Sequence, residues 1–357
     1  MSMKKSAVAV ALMAAMGAQA QVTLFGTLDV SFQSVKELGS GDKATGVQSG
    51  GLTDSYLGLA VQEDLGAGLK ASAQLETLIN ADTGAATSPA FWGRNANVSV
   101  ASDLGTLTLG RKQTVFFDAV AAYNPFGEAS LGVSRNLIAG IVQTGAGSAD
   151  VEAAVAALSP SDQVAALAAA QSEDRSWSNS ITYVTPDMSG FSAAVQLGMK
   201  EGSSAGNNLG VVVNYAAGPL AAGFAYQSTK LGALDLINLE DTRWVLGASY
   251  DLGMAKLYGQ LSQSEWKNAT TGATALETSA FQLGAGVPLN EQGTVMVSIG
   301  QAKDDTNGAP TDKVTAFSLG YDHALSKRTD VYGVLKSTKE TDVESGNAIA
   351  VGVRHRF

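Results

Sequence analysis

The strongest constraint in this chain is a hydrophobic period of two that recurs along almost its whole length. In residues 22–33, Val22, Leu24, Leu28, Val30 and Phe32 fall on one face, and Thr23, Thr27, Asp29, Ser31 and Gln33 on the other. Successive side chains of a strand point to opposite sides, so such a stretch is a strand with one apolar and one polar surface. The pattern returns at 69–79, where Leu69, Ala71, Ala73, Leu75 and Ile79 oppose Lys70, Ser72, Gln74 and Glu76. It returns again in 191–200 and 243–252. Further runs lie near 52–62, 94–102, 106–112, 178–186, 207–217, 219–230, 254–265, 277–288, 292–303, 313–325, 328–338 and 346–357, giving sixteen in all.

A soluble β-sandwich or solenoid also alternates. The strand number favours a membrane barrel instead, because staves that cross a bilayer are about ten residues long and even in number. Hydrocarbon satisfies no free N–H or C=O, so a sheet immersed in it must close on itself. The connections also alternate in length. Short ones at 64–68, 103–105 and 251–253 belong to one end, and longer polar ones at 36–51 and 303–313 to the other. Short turns face the periplasm and long loops the exterior in such barrels. Phe25, Tyr56, Tyr183, Tyr215, Tyr226, Tyr250 and Tyr321 cluster at run ends, as interfacial aromatic girdles would. No run of 18 apolar residues exists, so no helix spans a membrane.

Residues 1–20 read as a cleaved secretory signal. Lys4 and Lys5 form a basic start, residues 7–16 an apolar stretch, and Ala18-Gln19-Ala20 a small-x-small cleavage site. Residues 21–357 then form a single barrel domain. Losing two lysines leaves 21 basic and 33 acidic residues, a net charge of −12, which argues against nucleic acid as a partner. Cysteine is absent, which excludes disulfides and thiolate sites. With two histidines, a His-rich metal site is excluded as well, and no cofactor or metal is expected.

Gly105–Gly127 reads GTLTLGRKQTVFFDAVAAYNPFG. Its first part alternates. Its second part abandons the period and heads into a long irregular loop through Asp118 to a turn at Asn124-Pro125-Phe126-Gly127. That makes sense for a stave followed by a loop that folds back into a lumen. The loop spans about 113–175, and its alanine-rich part, 145–171, has helical character with caps at Ser148 and Ser159. That insertion either elaborates the loop or narrows the lumen.

These pieces resemble the Gram-negative general-diffusion porins, most closely the betaproteobacterial branch. The likeness rests on Val22-Thr23-Leu24-Phe25-Gly26, on Glu63-Asp64-Leu65-Gly66 followed by Gly68-Leu69-Lys70-Ala71, and on Gly105–Arg111. It continues in Asn179-Ser180-Ile181, Gly190-Phe191, residues 325–329 and the ending Val351–Phe357. The resemblance implies a homotrimer of sixteen-stranded antiparallel barrels in the outer membrane, each with a water-filled channel for small hydrophilic solutes and ions. It implies that the third extracellular loop folds inward, bringing carboxylates opposite wall arginines. It also implies contact with lipopolysaccharide and outer-membrane lipids, and a terminal Phe357 read by the barrel assembly machinery.

Carried over residue by residue, the likeness makes Arg111 a wall arginine and Arg175 a looser second. The family's Ser-Arg-x-Gly element reads Ser55-Tyr56-Leu57-Gly58 here, so Arg94 is the candidate to replace the missing arginine. On the loop, Asp118 matches, and Glu128 stands in for an absent tip acid. Strict alternation puts Arg111 with Leu107 and Leu109, and Arg94 with Val98 and Val100, on the lipid face. Either these arginines lie at the rim or a bulge, made plausible by Gly110, turns them inward. A slight anion preference is expected. The alternatives are a porin selective for small organic anions, or a surface barrel acting mainly as an adhesin. His323 and His355 belong to no triad pattern, so enzymatic activity is not expected.

Overall fold

The computed structural model describes residues 21–39, 41–87, 90–133, 138, 175–200, 207–233, 237–269, 271–305 and 313–357. The expected signal segment and the alanine-rich stretch lie outside the described residues. The strands are β1 (Gln21–Lys36), β2 (Lys43–Ser49), β3 (Tyr56–Gly66), β4 (Leu69–Asn80), β5 (Ala85–Ala86), β6 (Asn95–Ser102), β7 (Gly105–Gln113), β8 (Ser176–Val184) and β9 (Phe191–Gly198). They continue as β10 (Asn208–Ala217), β11 (Leu220–Ala233), β12 (Ile237–Asp251), β13 (Lys256–Asn268), β14 (Thr274–Pro288), β15 (Gly293–Asp304), β16 (Lys313–Ala324), β17 (Thr329–Lys339) and β18 (Gly346–Arg356). Among the described residues one helix, α1 (Val115–Ala122), follows β7.

All pairings are antiparallel, and the sheet closes where β1 meets β18, from Thr27↔Arg356 to Lys36↔Asn347. Eighteen strands make sixteen staves. β2 pairs with the upper half of β1 and β3 with its lower half, so together they form one stave. β5 pairs only with Ile79 and Asn80 of β4 and belongs to no stave. The sixteen alternating runs of the sequence coincide with these staves. The polar connection expected at 36–51 is corrected in part, because β2 lies within it and continues the wall beside β1. Its Thr45 and Lys43 match a wall that extends beyond the lipid.

The outer face is apolar and exposed along Leu24, Leu28 and Phe32, along Leu246 and Leu261, and along Ile349, Val351 and Val353. Tyr183, Phe191, Tyr215, Tyr250 and Tyr321 stand on this face near the short turns. The Phe191 and Tyr215 rings are 4.5 Å apart. Phe25 and Tyr56 do not join that belt. Their registers, Phe25↔Gly58 and Thr27↔Tyr56, put them on the inner face with the buried Thr27, their rings edge to face at 6.1 Å. A side chain at Gly58 would overlap the Phe25 ring, so glycine there is what admits the aromatic to the inside.

The buried apolar core is the seam between an inward loop and the wall. Thr114 caps α1, its hydroxyl accepting from Phe117 N at 3.2 Å. Val115, Phe116, Ala119 and Val120 pack on Ala194, Val212, Ala225 and Val245. Further on, Phe126, Ala129 and Leu131 pack on Met296, Val334, Ala348 and Ala350. Those wall positions point inward, where the barrel rule demands polar residues. They are apolar because the loop covers them. Glycines supply the remaining room: a Cβ at Gly247 would overlap Tyr123, one at Gly284 Pro125, and one at Gly320 Phe126. Polar side chains then pin the loop backbone. Gln196 Oε1 accepts from Val115 N at 3.1 Å, Gln260 Nε2 donates to Val120 O at 2.8 Å, and Ser318 Oγ donates to Leu131 O at 2.7 Å.

Two outcomes test this arrangement. Leu283→Lys, on the outer face, should cost about 2–4 kcal/mol near the bilayer midplane, whereas Ser72→Lys on the inner face should cost little. Urea unfolding in vesicles measures both, and equal costs would contradict the assignment of faces. Gly247→Val should push Tyr123 and the loop toward the lumen axis at a cost of about 1–3 kcal/mol. Single-channel conductance should fall, and an unaltered conductance would show that the loop does not rest there.

Candidate functional site

The inward loop and a second inward segment bring charges together inside the barrel. The second segment is Gly50–Ser55, which interrupts the stave shared by β2 and β3. Asp29 on β1 holds it. One carboxylate oxygen accepts from Leu52 N at 2.8 Å and Thr53 N at 2.7 Å, and the other accepts from the Tyr332 hydroxyl. Ser55 Oγ donates to Asp29 O at 3.0 Å. Two backbone amides would be orphaned inside the barrel without that carboxylate, which explains a fully buried aspartate on the inner face. Ser130 of the long loop donates to Gly50 O at 2.6 Å, so the two inward segments touch.

The charges form a connected group. Glu76, buried on β4, accepts from Arg94 Nε at 2.8 Å and from Asn95 Nδ2 at 2.7 Å. Arg94 also reaches Glu128 at 3.3 Å, and its guanidinium lies 4.4 Å from the centre of the Tyr56 ring. That contact adds a cation–π attraction to the two ion pairs. Gln113 Nε2 donates to Glu128 Oε1 at 3.5 Å. Arg175, just before β8, pairs with Asp54 of the second inward segment and stands 5.2 Å from the Phe117 ring. Asp118 is exposed, together with Ala122 one turn on, on the face of α1 turned away from the wall. Its carboxyl meets lumen water but is enclosed by protein. That enclosure raises its pKa above the ordinary carboxylate value, Lys112 opposes the rise, and Glu128 adds to it.

Arg94, Arg175, Asp118 and Glu128 therefore all meet in this group. The alternation rule does not bind Arg94, because β6 begins at Asn95. Arg111 does not join. It is in register with Ala96, on the row of Val98 and Val100, so its side chain leaves on the outer face near the extracellular end of β7. There Nε donates to Gly93 O at 2.6 Å and Nη1 to Ser178 Oγ at 2.7 Å. The register shift beside Gly110 is real, but the extra residue is on β8, where Asn179 has φ +49°. It turns Trp177 inward, over Gly198 and Gly210, and leaves Arg111 where it was.

Four members of the group escaped a reading by motif: Asp54, Glu76, Lys112 and Tyr56 as the seat of Arg94. Lys112 has a detectable signal, since it shares parity with the polar Thr106 and Thr108. α1 was also legible in retrospect, as Thr114 followed by a stretch with no strong helix breaker. The turn at Asn124–Gly127 appears as expected, with Asn124 Oδ1 accepting from Phe126 N at 2.9 Å.

Comparison with known proteins agrees with this architecture. The family model for Gram-negative porins matches residues 7–343. The chain is 33% identical to outer membrane porin protein 32 of Delftia acidovorans, covering 99% of this chain and all of that one. An outer-membrane porin of Bordetella pertussis is 25% identical, over 99% of this chain and all of its own length. Among solved structures, the anion-selective porin from Comamonas acidovorans superposes with a TM-score of 0.78 at 29% identity, covering 95% of this chain and all of that one. OmpT of Vibrio cholerae, solved in a trimer form, shares the fold at a TM-score of 0.66 and 14% identity, over 95% of this chain and 99% of that one. A closed sixteen-stave barrel, a lumen crossed by a charged loop, and relatives matched end to end lead to one conclusion: this chain belongs to the Gram-negative porin family and is a β-barrel channel of the outer membrane.

Proposed function

We propose that Arg94, Lys112 and Arg175, with Asp54, Glu76, Asp118 and Glu128, form the neck of the channel, and that the neck gives it a slight anion preference. The observation that carries this reading is the pairing of loop to wall. Glu128 on the inward loop meets Arg94, and Arg175 meets Asp54 on the second inward segment. Arg94 and Arg175 occupy three of the four carboxylates in ion pairs. Lys112 has no carboxylate at contact distance among the described residues, and Asp118 protonates more readily than a free carboxylate. The three cations face four carboxylates, so the group sums to −1, or to zero once Asp118 takes up a proton, and the anion preference is assigned to Lys112, the cation of the group outside an ion pair. The porin from Comamonas acidovorans is anion-selective, and that kinship supports the same sign here.

No bond is made or broken. Opposed charges across a narrow aqueous neck set up a transverse field that orders water and favours polar solutes. Low-dielectric walls focus that field, and charge rings of this kind set ion preference. The Debye length is about 8 Å at physiological salt, so the preference weakens as salt rises. Arg111, on the outer face, takes no part in the neck.

Assembly as a homotrimer follows the trimer form of OmpT of Vibrio cholerae. Lipopolysaccharide is the proposed neighbour of the outer ends of β11–β15, where Lys230, Lys267 and Lys303 stand paired with Glu240, Glu265 and Asp305. Phe357 is the proposed assembly signal. In the closed barrel its backbone is held by Gly26 through two hydrogen bonds of 3.1 Å.

Planar-bilayer recording tests the reading. Purified protein should insert with conductance that closes in three equal steps, and a KCl gradient should give a small reversal potential on the anion side. Lys112→Gln should shift that potential toward cations, while Arg111→Ala should leave it unchanged. A shift with Arg111→Ala and none with Lys112→Gln would reverse the assignment. The raised pKa of Asp118 adds a pH dependence. As pH falls through that value, the carboxylate gains a proton and the neck loses a negative charge, so anion preference should grow. Asp118→Asn should show the acid-pH preference already at neutral pH and should lose that part of the dependence. Anion preference that declines toward acid pH would refute this role.

A further inference from the structure

At the end of the barrel that carries the short turns, five of the seven turns bear an acid, one bears no charge and one is basic. Asp64, Asp187 and Asp251 each cap their own turn, accepting from Gly66 N at 2.8 Å, Gly190 N at 3.1 Å and Gly253 N at 2.7 Å. Asp103 and Glu291 lie in two further turns, and the Gly218-Pro219 turn has no charge. The turn between β16 and β17 differs. Ser326 Oγ does the capping, accepting from Arg328 N at 3.2 Å and Thr329 N at 3.0 Å. Lys327 and Arg328 stand exposed in it. Alone among the described arginines, Arg328 has no side-chain hydrogen bond or ion pair with described residues, whereas Arg94, Arg175, Arg243, Arg354 and Arg356 are paired and Arg111 is hydrogen-bonded.

The surroundings of this turn belong to a lipid boundary. His323 and His355 flank it on the outer face. His355 Nδ1 shares a hydrogen bond of 2.8 Å with Thr329 Oγ1, and His323 Nδ1 one of 3.1 Å with the Tyr321 hydroxyl. The Tyr321 ring lies 6.0 Å from that of His323, and Phe357, level with the turn at the end of β18, lies 6.5 Å from His355, so aromatic rings border the basic turn. Higher on the wall, Gly333 is in register with Tyr321 on one side and Val351 on the other. A Cβ there would meet nothing nearer than Ala350 O at 3.9 Å. The result is a notch in the outer wall, bordered by Leu319, Leu335, Val351 and Val353, all exposed. It begins about 16 Å along the strand from Arg328, at about 3.3 Å per residue, within reach of an acyl chain.

We propose that the Leu325–Arg328 turn and the Gly333 notch form a binding site for an anionic glycerophospholipid of the periplasmic leaflet. Lys327 and Arg328 hold its phosphodiester, His323 and His355 present ring nitrogens and N–H groups at the headgroup level, and one acyl chain lies over Gly333. Basic side chains at a membrane surface attract anionic headgroups, and an unpaired arginine offers the fork that suits a phosphate. The proposal rests on the barrel crossing the outer membrane with its short turns in the periplasm, and it does not depend on which ions the neck prefers.

Native mass spectrometry of the intact protein, released from detergent containing equal dioleoylphosphatidylglycerol and dioleoylphosphatidylcholine, tests it. The wild type should retain phosphatidylglycerol severalfold over phosphatidylcholine. Lys327→Gln with Arg328→Gln should abolish that preference while leaving single-channel conductance unchanged, which also reports that the variant folds. Gly333→Leu, filling the notch, should reduce retention of phosphatidylglycerol independently. Equal retention of the two lipids by the wild type, or an undiminished preference in the double variant, would overturn the proposal. So would efficient cross-linking of Gly333→Cys to a second copy of the chain, which would show that protein covers this wall.

Discussion

Hydrocarbon offers no hydrogen-bonding partner, and that single constraint orders the whole molecule. An open sheet in lipid would expose a row of peptide groups at each edge, each costing several kcal/mol. The chain meets the constraint by bringing β18 back to β1. Closure in turn creates an interior. Because side chains alternate, that interior is as polar as the exterior is apolar, so it holds water. A lumen of this kind needs no further device to be a channel. What gives this one its character is the material folded into it.

That material turns the usual logic of a protein core around. The buried apolar seam is on the water side of the wall, between the Thr114–Val133 segment and inward positions such as Val212, Val245, Val334 and Ala350. Glycines at 247, 284 and 320 leave room for the aromatic and proline side chains of the loop. Glutamine and serine side chains hold its backbone. The loop is thereby fixed against one side of the lumen, and Glu128 is carried to Arg94 on the other. A second inward segment, tied to Asp29, does the same for Asp54 and Arg175. The field of the neck depends on this scaffolding as much as on the charges themselves.

The same alternation that makes staves legible hides the site. Sixteen runs of period two give the strands, their faces and the barrel, because a stave has to satisfy lipid and water at every residue. Where the loop docks, the inward positions turn apolar, as in the three consecutive valines at 211–213, and the pattern blurs. That blurring is a signal of a covered wall, visible once a loop is known to lie on it. Parity also explains both outcomes for the arginines. It correctly sends Arg111 outward, in register with Ala96, and it fails for Arg94, which stands one residue before its strand and is free to turn in. Phe25 and Tyr56 show the converse limit, since an aromatic near a strand end belongs to a girdle only if its face is the outer one.

The sequence by itself determined that this chain is a closed, membrane-spanning β-barrel with an inward loop, because hydrophobic period, run length and even strand number are local properties that the bilayer enforces residue by residue. Only the tertiary structure decided which charges meet. Arg94 finds Glu76, Glu128 and the Tyr56 ring, and Arg175 finds Asp54 across 121 positions of chain. Those encounters depend on where two loops come to rest inside the barrel. Side chains far apart in the sequence become neighbours only when closure has brought their staves and loops around a common lumen.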